Sequence, residues 1–243
     1  MDGGVAEFVS IYGKARRVVF FGGAGVSTES GIPDFRSEDG VYRQKYAYPP
    51  ERILSHSFFC ENTEEFFRFY FDKMIYPDAK PNAAHFFFAE EEKKGKIVSV
   101  VTQNIDGLHR KAGSVNVREL HGSVYRNTCM KCGAKYDLSY MLGRRGKIPR
   151  CSCGGIVKPD VVLYEENLDG ETVENAIEEI SSCDLLIVGG TSLNVYPAAG
   201  FVRLAKGKTV LVNKSETPFD EIADLVIHQP IGEFFKKVKA YEG

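Results

Sequence analysis

A glycine-rich stretch that directly follows an apolar run is the feature that most constrains this chain. Residues 18–21 are uniformly apolar, which is typical of a parallel strand buried on both faces. The run leads into Gly22, Gly23 and Gly25, and glycine lets a backbone turn sharply and approach a phosphate closely. The stretch therefore predicts the first turn of a nucleotide-binding domain, although Thr28 stands where a dinucleotide fingerprint has its third glycine.

Further apolar runs alternate with helical patterns along the chain. We predict strands at 97–101, 184–188, 209–212 and 225–227, and helices at 5–16, 82–94, 171–180 and 233–240. This alternation predicts an α/β fold with a doubly wound, Rossmann-like parallel sheet, in which ligands bind beyond the carboxyl ends of the strands. Because four such ends are polar or glycine-rich, we expect one shared crevice built from residues 22–28, 102–106, 189–192 and Asn213.

Aromatic residues recur at helical spacing between residues 41 and 76. They predict short helices packed over the nucleotide site, with a mobile loop around residues 37–50. We interpret the aromatic rings as core residues in preference to ligand contacts.

Four cysteines form two close pairs separated by eighteen residues: Cys129 with Cys132, and Cys151 with Cys153. This arrangement suits a tetrahedral zinc ion with four thiolate ligands, although the second pair has one intervening residue where two are usual. Four thiolates leave no open position, so we expect a structural and not a catalytic zinc. The other two cysteines, Cys60 and Cys183, lie in apolar sequence surroundings and are expected to be buried.

Bulk composition limits the partners of the chain. The net charge of −2 gives no general reason to expect nucleic acid, and no apolar run approaches the ~20 residues of a membrane-spanning helix. Residues 126–150 hold seven basic side chains and one acid, which we interpret as a solvated face in preference to a nucleic-acid surface. The N-terminus lacks the pattern of a secretory signal, so we expect a cytoplasmic location, where cysteines serve metals or chemistry.

Five histidines are candidates for a general base. His121 is the strongest, since it follows a predicted strand and precedes Gly122 and the cysteine pairs. His109 is secondary and His85 is expected in the core. For the remaining two, His56 and His228, we expect no acidic partner.

Two polar side chains, Asn104 and Asp106, alternate at the second strand end. They suit a ribose hydroxyl or a bound water, and the alternative is ordinary turn chemistry. Similarly, Thr191 and Ser192 suit ribose or phosphate, and the alternative for Ser192 is a helix cap. Asn213 ends its strand where a Rossmann enzyme often places an acid for the adenosine ribose.

Taken together, these motifs resemble the sirtuin family of NAD-dependent protein deacylases, in its compact prokaryotic form. The resemblance covers nearly the whole chain and rests on residues 23–36, 102–106, His121 with Gly122, the four cysteines, residues 190–193 and 212–213 in the family's order. It implies a Rossmann-like domain interrupted by a smaller zinc-ribbon plus helical domain. The implied boundaries are 1–36, 77–123 and 158–243 for the NAD-binding domain, 37–76 for the helical part with its cofactor loop, and 124–157 for the zinc module.

The resemblance also implies roles for individual residues. His121 would be the catalytic base, with Asn104 and Asp106 beside it. The NAD-binding residues would be Gly23, Ala24, Gly25, Thr28, Phe35, Arg36, Gln103, Asn104, Ile105, Asp106, His121, Gly190, Thr191, Ser192, Asn213 and Ile231. The acyl-lysine peptide would add as a β-strand to Val161, Val162 and Leu163.

The implied reaction converts acyl-lysine and NAD to lysine, nicotinamide and O-acyl-ADP-ribose. Departures from the family pattern concern specificity: a glutamate follows Tyr164 where the family commonly has glycine, and Tyr70 is followed three residues later by Lys73 in place of arginine. Because lysine is a poorer partner for an acyl carboxylate, we expect acetyl to be preferred over succinyl.

Two other functions remain open at this point. A protein ADP-ribosyltransferase would use the same NAD site, and a zinc-ribbon module fused to a nucleotide sensor would not be an enzyme. The expected partners are acetylated-lysine proteins or peptides, without membrane or nucleic acid, and the expected state is a monomer.

Overall fold

A computed structural model of the chain describes residues 3–35, 40–41 and 46–242. The strands in these ranges are β1 to β3 (Val18–Gly22, Ile97–Thr102, Val117–Glu119), β4 to β6 (Gly122–Cys129, Lys135–Tyr136, Val157–Val161) and β7 to β9 (Leu185–Gly189, Lys208–Val212, Leu225–Ile227). The α-helices within the described residues are α1 (Gly3–Lys14), α2 (Pro50–Ile53), α3 (His56–Glu61), α4 (Thr63–Lys73), α5 (Ala83–Lys93), α6 (Leu108–Ala112), α7 (Leu138–Leu142), α8 (Gly170–Ser182) and α9 (Ile231–Glu242). The prediction for Arg36, and half of the predicted loop at 37–50, lie outside the described residues.

Six parallel strands form the large sheet, in the order β3-β2-β1-β7-β8-β9. If β4 to β6 are set aside, this is the Rossmann strand order, with β1 at the centre and the order reversing between β1 and β7. Gly22 at the end of β1 lies opposite Thr102 of β2 and Gly189 of β7. Gly189 in turn lies opposite Val212 of β8, so the register brings all four predicted strand ends to one edge.

Alternate side chains of each central strand enter different cores. Val18 and Phe20 face a core built with α1, α5 and α9, while Val19 and Phe21 face a second core that contains Ala176 and Ile180 of α8. All five residues of β1 and all five of β7 are buried. The uniformly apolar runs thus form strands covered on both faces, as expected for a parallel sheet.

The smaller sheet is antiparallel, in the order β5-β4-β6. Its core includes the five buried aromatic side chains of α4. Val124, Met141 and Val161 of the cysteine-bearing segment belong to the same core. Helices α2 to α4 and the cysteine module therefore share one core, although some fifty residues of the large domain separate them in the chain. The predicted core role of the aromatic residues agrees with this burial, and the domain boundaries given above stay a prediction.

Across the described ranges, no helix has the combined length and apolar character that crossing a membrane requires.

Candidate active site

The loops after β1 and β7 are packed directly against each other. The N–H of Gly25 donates to the carbonyl oxygen of Gly190 at 2.8 Å, and the N–H of Gly23 donates to that of Gly189 at 3.3 Å. Gly190 has φ of 57°, and a Cβ built on it lies 2.3 Å from the backbone nitrogen of Val26. Glycine is therefore required here for contact between two loops, in addition to the predicted approach of a phosphate.

Three side chains form a buried hydrogen-bonded group at the end of β2. The Ser27 hydroxyl donates to Asp106 Oδ2 at 2.7 Å and accepts from Asn104 Nδ2 at 3.1 Å. A second Asp106 oxygen accepts the N–H of Leu108 at 2.8 Å. Burial raises the pKa of the Asp106 carboxyl, and the bonds from Ser27 and Leu108 oppose that rise. Asn104 and Asp106 are thus oriented by a common partner, in addition to serving the turn.

His121 is held in a defined protonation pattern. Its Nδ1 lies 3.0 Å from the backbone oxygen of Gln103, and a carbonyl can only accept, so Nδ1 carries the proton. Burial lowers the pKa of His121, and the bond to Gln103 opposes this shift. The neutral ring therefore keeps a free lone pair on Nε2, which is what a general base needs.

Gln103 also reaches the third strand end. Its side-chain Nε2 donates to Thr191 Oγ1 at 3.2 Å, and the same oxygen accepts the N–H of Leu193 at 3.2 Å. Gln103 thus joins the β2 end to His121 through its carbonyl and to the β7 end through its amide.

The fourth strand end lies on the far side of Gly190. Asn213 is half-buried, and its Nδ2 donates to the carbonyl of Ser215 at 2.7 Å. Ile231 at the start of α9 has 3% of its surface exposed, and a Cβ on Gly189 would approach its Cδ1 to 2.3 Å. Ile231 is therefore part of the core beside the crevice, while Ser192 is half-buried with no cap hydrogen bond among the described contacts.

The other predicted cofactor residues lie around the β1 loop. Ala24, Phe35 and Ile105 are half-buried, and Phe35 and Ile105 pack against the core of the small domain. Thr28 is exposed, and its hydroxyl donates to the carbonyl of Gly25 at 3.0 Å. The predicted contact with Arg36 lies beyond the described part of this loop.

The predicted substrate segment runs beside His121. Val161 of β6 pairs with Gly122, and the N–H of Val162 donates to the carbonyl of His121 at 3.0 Å. Leu163 is buried, and its N–H donates to Glu166 Oε2 at 2.9 Å. Since these two N–H groups have partners within the chain, an added peptide strand would rely on other backbone groups of this segment.

The glutamate that follows Tyr164, where the family commonly has glycine, adopts a backbone conformation that favours glycine. Glu165 has φ of 73°, in the left-handed region that favours glycine. Its carboxylate accepts the N–H of Ser57 at 2.8 Å and the Ser57 hydroxyl at 3.0 Å. These two bonds hold the segment in a conformation that costs a non-glycine residue roughly 1–2 kcal/mol.

The four predicted metal ligands converge. The sulfurs of Cys129, Cys132, Cys151 and Cys153 all lie within 4.8 Å of one another. Tetrahedral zinc with Zn–S bonds of about 2.3 Å requires S···S separations of about 3.8 Å. The closest pairs here are 3.5 Å apart, and a Cβ on Gly155 would approach the Cys129 sulfur to 2.7 Å. The thiolate set and its glycine-lined turn fit a structural zinc ion.

Three predictions about other residues were wrong. Cys60 is exposed, whereas Cys183 is buried as expected. His56 Nδ1 lies 2.9 Å from Glu166 Oε1, and His228 Nε2 lies 3.2 Å from Asp220 Oδ2, so both have acidic partners. His56 and Glu166 are 110 residues apart in the chain, so no local pattern indicates this pair.

Three residues of this region were missed. Besides Ser27, Glu29 accepts the N–H groups of Gly232 and Glu233 at 2.5 and 3.0 Å, which joins the β1 loop to α9. Asn82 caps α5 and donates to the carbonyl of Val26 at 2.7 Å. A polar residue within the glycine motif and an asparagine at a predicted helix start were the available signals.

Comparison with known proteins agrees with this geometry. A model of the Sir2 family matches residues 23–197. An NAD-dependent protein deacetylase of Clostridium acetobutylicum is 58% identical over 238 residues, which cover 96% of this chain and 97% of that protein. One from Clostridium tetani is 59% identical over 223 residues, covering 90% of each.

Solved structures give the same result. Sir2 bound with deacetylated p53 peptide and 3′-O-acetyl ADP ribose has a TM-score of 0.90 at 40% identity, covering 98% of each chain. Sir2 with p53 peptide and NAD⁺ has a TM-score of 0.86 at 40% identity, again covering 98% of each. With nearly full-length agreement in sequence and fold, the chain belongs to the Sir2 family.

Proposed function

We propose that this chain is an NAD-dependent protein lysine deacetylase, which converts acetyl-lysine and NAD to lysine, nicotinamide and O-acetyl-ADP-ribose. The observation that carries the proposal is the placement of His121. Its Nδ1 is tied to the Gln103 carbonyl, and the adjacent residues Asn104 and Asp106 are oriented by Ser27. The relatives at 58% and 59% identity are named as NAD-dependent protein deacetylases, which supports the same activity.

The residues at the strand ends fit a dinucleotide. Glycines at 23 and 25 remove Cβ atoms from the β1 loop, and carboxamide, carboxylate and hydroxyl groups line the ends of β2 and β7 as partners for ribose hydroxyls. When bound, NAD supplies an electrophilic ribose carbon with nicotinamide as its leaving group. The half-buried Phe35 and Ile105 at the boundary of the small domain shield this region from water.

The chain's own groups then move the proton. His121 Nε2 accepts a proton from a ribose hydroxyl, and the Gln103 carbonyl stabilises the imidazolium through Nδ1. Asn104 and Asp106 keep their positions because both bind the Ser27 hydroxyl. The cysteine cluster lies at the other end of β4 from His121, so its zinc serves the fold of the small domain.

The test is mass spectrometry of an acetyl-lysine peptide incubated with the protein, with and without NAD. We expect NAD-dependent loss of acetyl and an equal amount of O-acetyl-ADP-ribose. His121→Ala should reduce kcat/KM by about 10²–10⁴-fold. His228→Ala is the histidine control: its ring contacts Asp220 and the backbone carbonyl of Asn213, so kcat should be retained and any change confined to KM for NAD. Unchanged peptide with ADP-ribose attached to protein would contradict the proposal.

Acetyl is the proposed acyl group. Tyr70 is 1% exposed, and Lys73 Nζ lies 3.0 Å from Asp72 Oδ2. Of the pair considered for an acyl carboxylate, the tyrosine is therefore covered and the lysine already has an acidic partner. Values of kcat/KM for matched acetyl- and succinyl-lysine peptides measure this preference. A higher value for succinyl would overturn it.

We further propose a monomer in the cytoplasm that does not bind nucleic acid. A zinc site of four thiolates is favoured where cysteines stay reduced, and all six cysteines are unpaired. Six of the seven basic side chains in 126–150 already contact acceptors or rings nearby, namely Arg126, Lys131, Lys135, Arg144, Arg145 and Arg150. Light scattering tests the monomeric state, and titration with labelled DNA and RNA tests whether nucleic acid binds.

A further inference from the structure

A cysteine, a histidine and a glutamate form a hydrogen-bonded series on the surface of the small domain. Cys60 Sγ lies 3.6 Å from His56 Nε2, and His56 Nδ1 lies 2.9 Å from Glu166 Oε1. A carboxylate can only accept, so His56 Nδ1 carries the proton and Nε2 presents its lone pair to the thiol. A nucleophile next to a base that a third group orients is the arrangement found in activated nucleophiles.

The series is accessible and separate from the active site. Cys60 is exposed, and the side chains of His56 and Glu166 are 47% and 21% exposed. Cys60 is also distinct from the four cysteines of the metal cluster, and Cys183 is buried. Reagents in solution can therefore reach this thiol while Cys183 is covered.

Glu166 connects the series to the segment beside His121. Its Oε2 accepts the N–H of Leu163 at 2.9 Å and lies 3.0 Å from Lys158 Nζ. The backbone follows the same route, because the N–H of His56 donates to the carbonyl of Tyr164 at 3.0 Å. A change at His56 is thus one contact away from the predicted substrate segment at 161–163.

We propose that Cys60 is a modification site that forms mixed disulfides with low-molecular-weight disulfides, with His56 as its general base. We also infer that modification weakens peptide binding, and this second part rests on the proposed function. A glutathionyl group on Cys60 occupies the space next to His56 and displaces the ring from Glu166, which loosens the support of Leu163.

The thiol–disulfide exchange between Cys60 and oxidised glutathione needs no further oxidant or reductant. The Cys60 proton passes to His56 Nε2, and the thiolate attacks one sulfur of oxidised glutathione. An S–S bond forms between Cys60 and that sulfur while the original S–S bond breaks. The departing glutathione thiolate takes the proton from His56, so Cys60 is oxidised and one glutathione is reduced.

The first measurement is the rate at which oxidised glutathione modifies Cys60 in the zinc-loaded protein at neutral pH, followed by mass spectrometry of the peptide that contains Cys60. We expect His56→Gln to slow this rate about tenfold. His228→Gln, which removes a histidine paired with Asp220 elsewhere, should leave it unchanged. An equal rate in wild type and His56→Gln would overturn the assignment. If His56→Gln does not fold, Glu166→Gln is measured in its place and should also slow the reaction.

The second measurement compares deacetylation by the glutathionylated protein and by Cys60→Ser exposed to the same reagent. We expect KM for the acetyl peptide to rise about threefold at unchanged kcat, the size of one weakened hydrogen bond. An unchanged KM in the modified protein would refute the link to the substrate segment. Loss of all deacetylation in the unmodified protein would instead refute the proposed function, while the modification rate would still decide the role of Cys60.

Discussion

The two sheets of this molecule are stabilised in different ways. The large sheet is covered on both faces, and its central strands β1 and β7 are buried along their whole length between two hydrophobic cores. The small sheet has one core, shared with α2 to α4, and its turns converge on four cysteines. The large domain can thus rely on burial of apolar surface alone, whereas the small domain also depends on a metal.

Removing a zinc ligand should produce the largest difference between the two domains. We expect Cys151→Ser to lose the zinc ion and to unfold the small domain, because structural zinc sites contribute folding free energies of about 10 kcal/mol or more in small domains. The large domain should keep its structure. Metal analysis and two-dimensional NMR spectra of backbone amides follow the two domains separately.

Cys60→Ser is the matched control for that experiment, since Cys60 lies outside the cysteine cluster. It should retain one zinc ion per chain and an unchanged NMR spectrum of the small domain. Equal zinc content in Cys151→Ser and wild type would show that the comparison between the domains is wrong.

Within the large domain, stability should be most sensitive to substitutions at the contact between the β1 and β7 loops. In Gly190→Ala, the new methyl group meets the Val26 nitrogen at 2.3 Å on a backbone with φ of 57°. We expect a loss of about 3 kcal/mol or more in the free energy of unfolding, together with weaker NAD binding. Chemical denaturation and calorimetric titration with NAD measure the two effects.

Gly95→Ala measures the cost of the left-handed backbone alone, without the steric clash that Gly190→Ala introduces. Gly95 has φ of 75° but no atom within 4 Å of an added Cβ. It should therefore lose only about 1 kcal/mol and keep its NAD affinity. Similar losses in the two variants would mean that the packing of the two loops adds nothing to stability.

Buried histidines should make the large domain sensitive to acid. Burial lowers the pKa of His85 from 6.5 to about 4 and that of His109 well below 6.5, and their rings are 4.6 Å apart. Between these values the unfolded chain binds more protons than the folded chain, so stability falls as the pH drops below 6.5. His85 should contribute a loss of about 2 kcal/mol by about pH 5, and His109 a further loss in the same direction.

His109→Phe tests this linkage. Neither ring nitrogen of His109 has a hydrogen-bond partner within the described contacts, and the ring packs against Phe20, Phe88 and His85. We expect the variant to lose less stability than wild type between neutral and acidic pH, as measured by urea denaturation across that range. A parallel pH dependence in both proteins would exclude His109 as a source of acid sensitivity.

The smallest effect is expected at Tyr70 in the small domain. Its buried hydroxyl has no hydrogen-bond partner among the described residues, and burial raises the pKa of Tyr70. Tyr70→Phe therefore removes a desolvated polar group. We expect a change within about 1 kcal/mol, or a small gain. Tyr12→Phe in the large domain should cost more, because the Tyr12 hydroxyl donates to the buried Glu91 at 2.6 Å. Thermal unfolding compares the two, and a larger loss at Tyr70 would reveal a partner for its hydroxyl.

Features that depend on neighbouring residues could be predicted from the sequence. Apolar runs give the strands of the large sheet, and glycine or polar residues after them give the crevice, because parallel strands end at one edge. The cysteine pairs are visible because metal ligands come from two tight turns. His121 could be chosen from its position alone, but its protonation pattern depends on the Gln103 carbonyl, eighteen residues away.

Features that depend on distant segments could not be predicted. His56 meets Glu166 across 110 residues of chain, so neither the acidic partner nor the exposure of Cys60 has a local signal. Ser27 lies inside a motif whose glycines carry the sequence signal. Its role as the common hydrogen-bond partner of Asn104 and Asp106 depends on the fold, which places these residues next to it. The shared core of α2 to α4 and the cysteine module likewise requires the fold itself.

The course of β4 has a consequence for how the length of this chain can vary. The eight-residue strand begins at Gly122, next to His121, and ends at the metal ligand Cys129. β4 pairs with β6 in regular register from Asn127 to Cys129, so a single residue inserted there would shift the metal ligand relative to its partner strand. The turn around Gly146 is exposed, with no atom within 4 Å of an added Cβ, so an insertion there only lengthens a surface loop. Growth or trimming of the small domain is therefore expected at this turn, while the regularly paired end of β4 at the metal ligand keeps its length.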